Sequence, residues 1–132
     1  MAELVILQKD DENLDFLKFR LESFPKHKIV HEAHNLFDSL RILDIIDSNI
    51  LHIEDYKIPD AIVLDGNFST DAYPCYDAAA VINTRDRLNL KIHAIGYSFV
   101  FLSQYDSMKI HPSLDIGKNP NNLLRVLSER FE

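Results

Sequence analysis

The chain has 132 residues, of which 46% are hydrophobic and 27% charged, with a formal net charge of −7. That is the length of a single domain (residues 1–132), with enough apolar residues to bury a core. The acidic balance excludes the basic face that nucleic acid requires. The lone Cys75 cannot close an internal disulfide and fits a reducing compartment. No apolar run approaches the roughly 20 residues of a membrane span. Met1-Ala2-Glu3-Leu4 enters an apolar strand without a basic, cleavable leader, so the expected location is cytoplasmic.

In chain order, Leu4-Val5-Ile6-Leu7 predicts a first, buried strand. After Gln8-Lys9-Asp10-Asp11-Glu12, the spacing of Leu14, Leu17, Leu21 and Phe24 predicts an amphipathic helix over residues 13–21, capped by Asp11 or Asn13 and stopped at Pro25. Lys28-Ile29-Val30-His31-Glu32-Ala33 is a second strand. Leu36, Leu40, Leu43, Ile46 and Ile50 then mark one face of a long helix. Ala61-Ile62-Val63-Leu64 is a third strand, followed at once by Asp65 and Gly66. A helix is expected around 76–88 and a fourth strand at Lys91-Ile92-His93-Ala94-Ile95. Ser98 is placed to cap a short helix over 99–105, and Ser113-Leu114-Asp115-Ile116 is the fifth and least apolar strand. Asn119-Pro120 opens a last helix whose inner stripe is Leu123, Leu124, Leu127 and Phe131. Five strand–helix alternations predict an α/β fold: a five-stranded parallel sheet in the order 2-1-3-4-5, with helices on both faces.

In that order, the crevice outside the ends of strands one and three is the expected ligand position. Asp10, Asp11 and Asp65 follow those strands, so three carboxylates are expected to meet there. Their repulsion calls for a cation. All-oxygen ligands suit a hard ion such as Mg²⁺, which commonly binds one or two carboxylates together with phosphate oxygens. Lys118 follows the fifth strand at the same edge and could pair with a carboxylate or a phosphoryl group.

The acidic pair Asp10-Asp11, the segment Pro59-Asp60-Ala61-Ile62-Val63-Leu64-Asp65, the strand at 91–95 and Lys118 together make the chain resemble a response-regulator receiver domain, the phosphoacceptor module of two-component signalling. The resemblance implies a flavodoxin-like fold. It implies that Asp65 accepts a phosphoryl group from a histidine kinase or phosphotransfer protein, and that Asp10, Asp11, Asp65 and the backbone carbonyl of Asn67 hold Mg²⁺. Lys118 would contact the phosphoryl group. It further implies a stand-alone, non-enzymatic signalling domain whose output is a protein partner bound on the face of strand four, the fourth helix, strand five and the last helix. Phe99, Val100, Phe101 and Tyr105 fall on that face, and a homodimer is open.

Several residues depart from the receiver pattern. Gly96 stands where a phosphate-contacting Thr or Ser is usual, with Ser98 two residues on as the other switch candidate. Asp115 takes the place of an aromatic switch residue. The Lys-Pro pair is split as Lys118-Asn119-Pro120, the proline usual just after the acceptor is missing, and the segment 36–58 is long. These departures favour an alternative: a pseudo-receiver that binds partners constitutively without phosphorylation. Plainer roles are also open: Asp65 as a turn former, Asp10-Asp11-Glu12 as a charged first helical turn, Lys118 as a surface lysine. A zinc site at His31 and His34 lacks a third ligand nearby, and Cys75 reads as a small filler.

Overall fold

The computed structural model describes residues 1–23, 27–68, 76–99, 102 and 115–131. They form an α/β fold of four strands and four helices: β1 (Glu3–Leu7), α1 (Glu12–Ser23), β2 (Lys28–Ala33), α2 (Leu36–His52), β3 (Ala61–Leu64), α3 (Tyr76–Arg87), β4 (His93–Gly96) and α4 (Pro120–Phe131). All strand pairs are parallel and the sheet order is β2-β1-β3-β4.

Given this order, crossover handedness places the helices. The chain steps from β1 outward to β2, then back past β1 to β3 and on to β4. Right-handed crossovers in opposite directions put α1 on one face of the sheet and α2 and α3 on the other. α1 accordingly packs beside α4, and α2 beside α3. The central strands are closed on both faces: Leu4 to Leu7 of β1 and Ala61 to Leu64 of β3 are all fully buried. Unbroken aliphatic runs suit that position, because a strand covered on both faces has no solvent side to alternate with.

Of the expected fifth strand, Asp115 and Ile116 are among the described residues. The described sheet has four strands, and at the fifth position stands an isolated parallel bridge, Gly96 to Asp115. It is reinforced by the Ile116 N–H donating to the Gly96 carbonyl at 3.0 Å. Ser113 and Leu114, the expected start of that strand, lie outside the described residues, as do Phe24, Pro25, Cys75 and all of the expected helix over 99–105 except Phe99 and Leu102.

Other boundaries move for identifiable reasons. β4 starts two residues later than the apolar run suggested and ends one later, because its pairing with β3 begins at Ala61 with His93 and ends at Leu64 with Gly96. α1 begins one residue earlier than expected because Asp11 caps it, its Oδ1 accepting from the N–H groups of Asn13 at 3.0 Å and Leu14 at 3.3 Å, and it runs two residues further, to Ser23. Asn35 does the same for α2 through the Asp38 N–H at 2.8 Å. The buried stripe of α2 is Ser39, Ile42, Leu43 and Ile46. Ile50 stands four residues after Ile46, on the same stripe but in the last turn of the helix, and is exposed. In α4 the buried stripe is Leu123, Val126 and Leu127, with Leu124 and Phe131 half-buried.

Candidate functional site

Strand order reverses between β1 and β3, so the crevice outside their C-terminal ends is the topological switch point. The register there decides which side chains meet. β1 and β3 pair from Leu4 with Ala61 to Leu7 with Leu64, and the Asp65 N–H donates to the Leu7 carbonyl at 2.9 Å. One residue further along both strands stand Gln8 and Asp65.

Asp65 is 5% exposed. Its Oδ2 lies 3.1 Å from the Lys118 ammonium, in an ion pair whose two side chains are 7% and 6% exposed. The same oxygen accepts from the Lys9 N–H at 3.3 Å, and Oδ1 accepts from the Gly66 N–H at 2.8 Å. A buried carboxylate needs a counter-charge and donors; here one ammonium and two backbone N–H groups supply them. Phe99, itself largely exposed, places its ring 4.7 Å from the Lys118 nitrogen, a cation–π contact over the outer side of the ammonium.

Gln8 is 2% exposed, and its side-chain nitrogen reaches the Val63 carbonyl at 3.3 Å and the Tyr97 carbonyl at 3.0 Å. Between two carbonyl oxygens only the NH₂ end of the amide can point inward, because the oxygen end would face like partial charges. Gln8 therefore ties together the ends of β1, β3 and β4. Tyr97 is itself buried, and desolvation pushes its phenol up to about 12.

The loop after Asp65 is stitched to the start of α3. The Gly66 carbonyl accepts from the Ala78 N–H at 2.9 Å, the Asn67 Oδ1 from the Asp77 N–H at 3.3 Å, and the fully buried Asp77 accepts from the Phe68 N–H at 2.8 Å. On the other side, the segment 115–119 runs from the β4 bridge to α4. Gly117, at φ 67°, makes the left-handed turn that sends Lys118 inward. Asn119 caps α4 by accepting from the N–H groups of Asn121 and Asn122 at 3.0 and 3.2 Å.

Of the expected site residues, Asp65 and Lys118 are brought together. Asp10 and Asp11 do not join them in a three-acid group: among the described residues no cluster of three His, Cys, Asp or Glu is arranged to hold a metal ion. Asp10 is exposed, and Asp11 uses Oδ1 as the cap of α1. The physical reason is where pairing stops. β1 reaches past its apolar run, with the Gln8 N–H bonded to the Ala33 carbonyl at 3.3 Å. Gln8 and Lys9, rather than the two acids, therefore flank Asp65. The groups bonded to the Asp65 carboxylate are an ammonium and backbone N–H groups, which do not fit the further oxygen ligands that a Mg²⁺ ion takes.

The two switch candidates are both buried, Ser98 at 5% exposure and Gly96 within the sheet. A Cβ at Gly96 would stand 2.6 Å from the Asp115 Oδ1 and 3.4 Å from Leu102. The two departures at 96 and 115 are thus one feature: the Asp115 carboxylate occupies the space a Thr or Ser at 96 would need. Sequence reasoning missed Gln8 and Asp77. Gln8 carried a weak signal, one polar residue directly after an apolar strand; Asp77 carried none beyond its place in a first helical turn. Compared with known proteins, the chain matches no protein-family model and no curated protein.

Proposed function

We propose that this chain is a receiver-like domain of flavodoxin-like architecture that works as a constitutive protein-interaction module, without phosphoryl transfer. The observation that carries this reading is the closure of Asp65. In-line attack on phosphorus needs a carboxylate oxygen open to the incoming group. Asp65 is instead 5% exposed, with Oδ2 held by Lys118 and the Lys9 N–H and Oδ1 held by the Gly66 N–H. The Gly96–Asp115 packing supports the same reading, since it leaves no room for a phosphate-contacting hydroxyl at 96. The proposed output is a protein partner on the side formed by β4, the segment 115–119 and α4, where Phe99 is exposed. In this reading the domain is not an enzyme.

A second reading is favoured by one observation, the 3.1 Å Asp65–Lys118 pair at the C-terminal sheet edge. In it, Asp65 takes a phosphoryl group from a histidine kinase or phosphotransfer protein with Mg²⁺. Intact-protein mass after incubation with acetyl phosphate and Mg²⁺ separates the two, using the wild type and Asp65→Asn. The first reading expects no adduct on either protein. A single phosphoryl adduct on the wild type, absent from Asp65→Asn, establishes the second.

A further inference from the structure

We propose that the Lys118 ammonium is the resident counter-ion of Asp65, standing in for a divalent cation, and that the ion pair latches the segment 115–119 and the start of α4 to the sheet edge without metal or phosphate. This rests on the interaction-module reading and names how its surface is held.

Asp65 sits in a site that excludes water, so its charge has to be balanced from within reach. Of three side chains near this edge that could have offered further oxygen ligands to an external cation, two are engaged elsewhere and the third is exposed. Gln8, laterally beside Asp65, turns its NH₂ inward onto the carbonyls of Val63 and Tyr97. Asp11 gives Oδ1 to the first turn of α1. Asp10 is exposed. The only cationic side chain recorded on the Asp65 carboxylate among the described residues is Lys118, at 3.1 Å with its side chain 6% exposed.

The way Lys118 arrives gives the pair its mechanical consequence. Asp115 bridges to Gly96, Ile116 donates to the Gly96 carbonyl, and Gly117 turns the chain at positive φ. Lys118 then inserts, and Asn119 begins α4. Five consecutive residues are thus pinned at the β4 bridge and at Asp65, and α4 continues directly from the second pin. Removing the ammonium releases that pin and strands the carboxylate, so the segment opens more often.

The test uses the full chain and Mn²⁺ as the probe. Amide spectra are recorded with increasing Mn²⁺ for the wild type and for the Gln8→Asp/Lys118→Met double variant, and amide exchange of Ile116 is compared between the wild type and Lys118→Met. The expected results are no selective broadening of the Lys9 and Gly66 amides in the wild type, broadening of both in the double variant, and Ile116 exchange at least about tenfold faster in Lys118→Met. Selective broadening of those amides in the wild type overturns the proposal, as does unchanged Ile116 exchange. The wild-type titration decides by itself should a variant fail to fold. Mn²⁺ binding by a wild type that takes no phosphoryl adduct overturns the latch and leaves the interaction-module reading standing; an adduct overturns that reading.

Discussion

The centre of the sheet and its β4 margin are held by different physics. At the centre, β1 and β3 share four consecutive register pairs of fully buried aliphatic residues. At the margin, among the described residues, the position beyond β4 holds one bridge, Gly96 to Asp115, and the chain there is tied by polar contacts: the Ile116 N–H, the Asp65–Lys118 pair and the Asn119 cap. Burial is cumulative and tolerant of the direction from which a side chain arrives. Hydrogen bonds and ion pairs in a dry site are directional and fail singly. The centre therefore sets whether the domain folds, and the margin sets what the C-terminal edge looks like once it has.

Breaking the centre gives the largest expected effect. Ile62→Ala removes part of a fully buried side chain from the middle of β3 and costs about 2–5 kcal/mol of stability, as large-to-small core changes do. Denaturant unfolding measures it; a loss under about 1 kcal/mol would mean that the β1–β3 core repacks freely and that the contrast with the margin is false.

A change at the margin is expected to cost less and to be conditional. Gly96→Ala sets a methyl group 2.6 Å from the Asp115 Oδ1 and costs about 1–3 kcal/mol, as overpacking does. In an Asp115→Ala background the same change meets no carboxylate and costs at least about 1 kcal/mol less. That coupling is read from a double-mutant cycle. Additive costs would separate the two positions and dissolve the pairing of Gly96 with Asp115.

The opposite edge sharpens the comparison with the smallest effect. His31 in β2 is half-buried, and desolvation lowers its pKa from 6.5. The fold therefore favours neutral imidazole: the unfolded chain binds the proton more readily. The associated stability is complete above pH 6.5 and is lost as the pH falls through the lower folded-state value. An NMR titration of the His31 ring follows it, and a midpoint at or above 6.5 in the folded protein contradicts the assigned burial.

Which parts of the fold were legible follows the same division. Apolar runs located β1, β2 and β3, apolar spacing located α1, α2 and α4, and the Asn119-Pro120 start of α4 lies where the capping pattern put it. Spacing put Ile50 on the inner stripe of α2, yet in the last turn of the helix it is exposed: spacing gives the face, not how far along the helix the cover extends. Of the site, Asp65 and Lys118 were legible as a strand-end acid and a lysine at the same edge. Gln8 was not, since nothing local distinguishes a polar residue that ends a strand from one that begins a loop.

The sequence by itself therefore determined the alternation of elements and the α/β class with a parallel sheet, because these rest on apolar spacing, a property of the chain read locally. Only the tertiary structure decided which groups surround Asp65. Pairing that continues one residue past the apolar run puts Gln8 and Lys9 beside it, while Asp10 is exposed and Asp11 caps α1. A left-handed turn at Gly117 brings in Lys118 across more than fifty residues of chain. Side-chain period in a strand is two, so a shift of one residue at a strand end exchanges which groups face a site. That shift is set by the partner strand, which the local sequence does not contain.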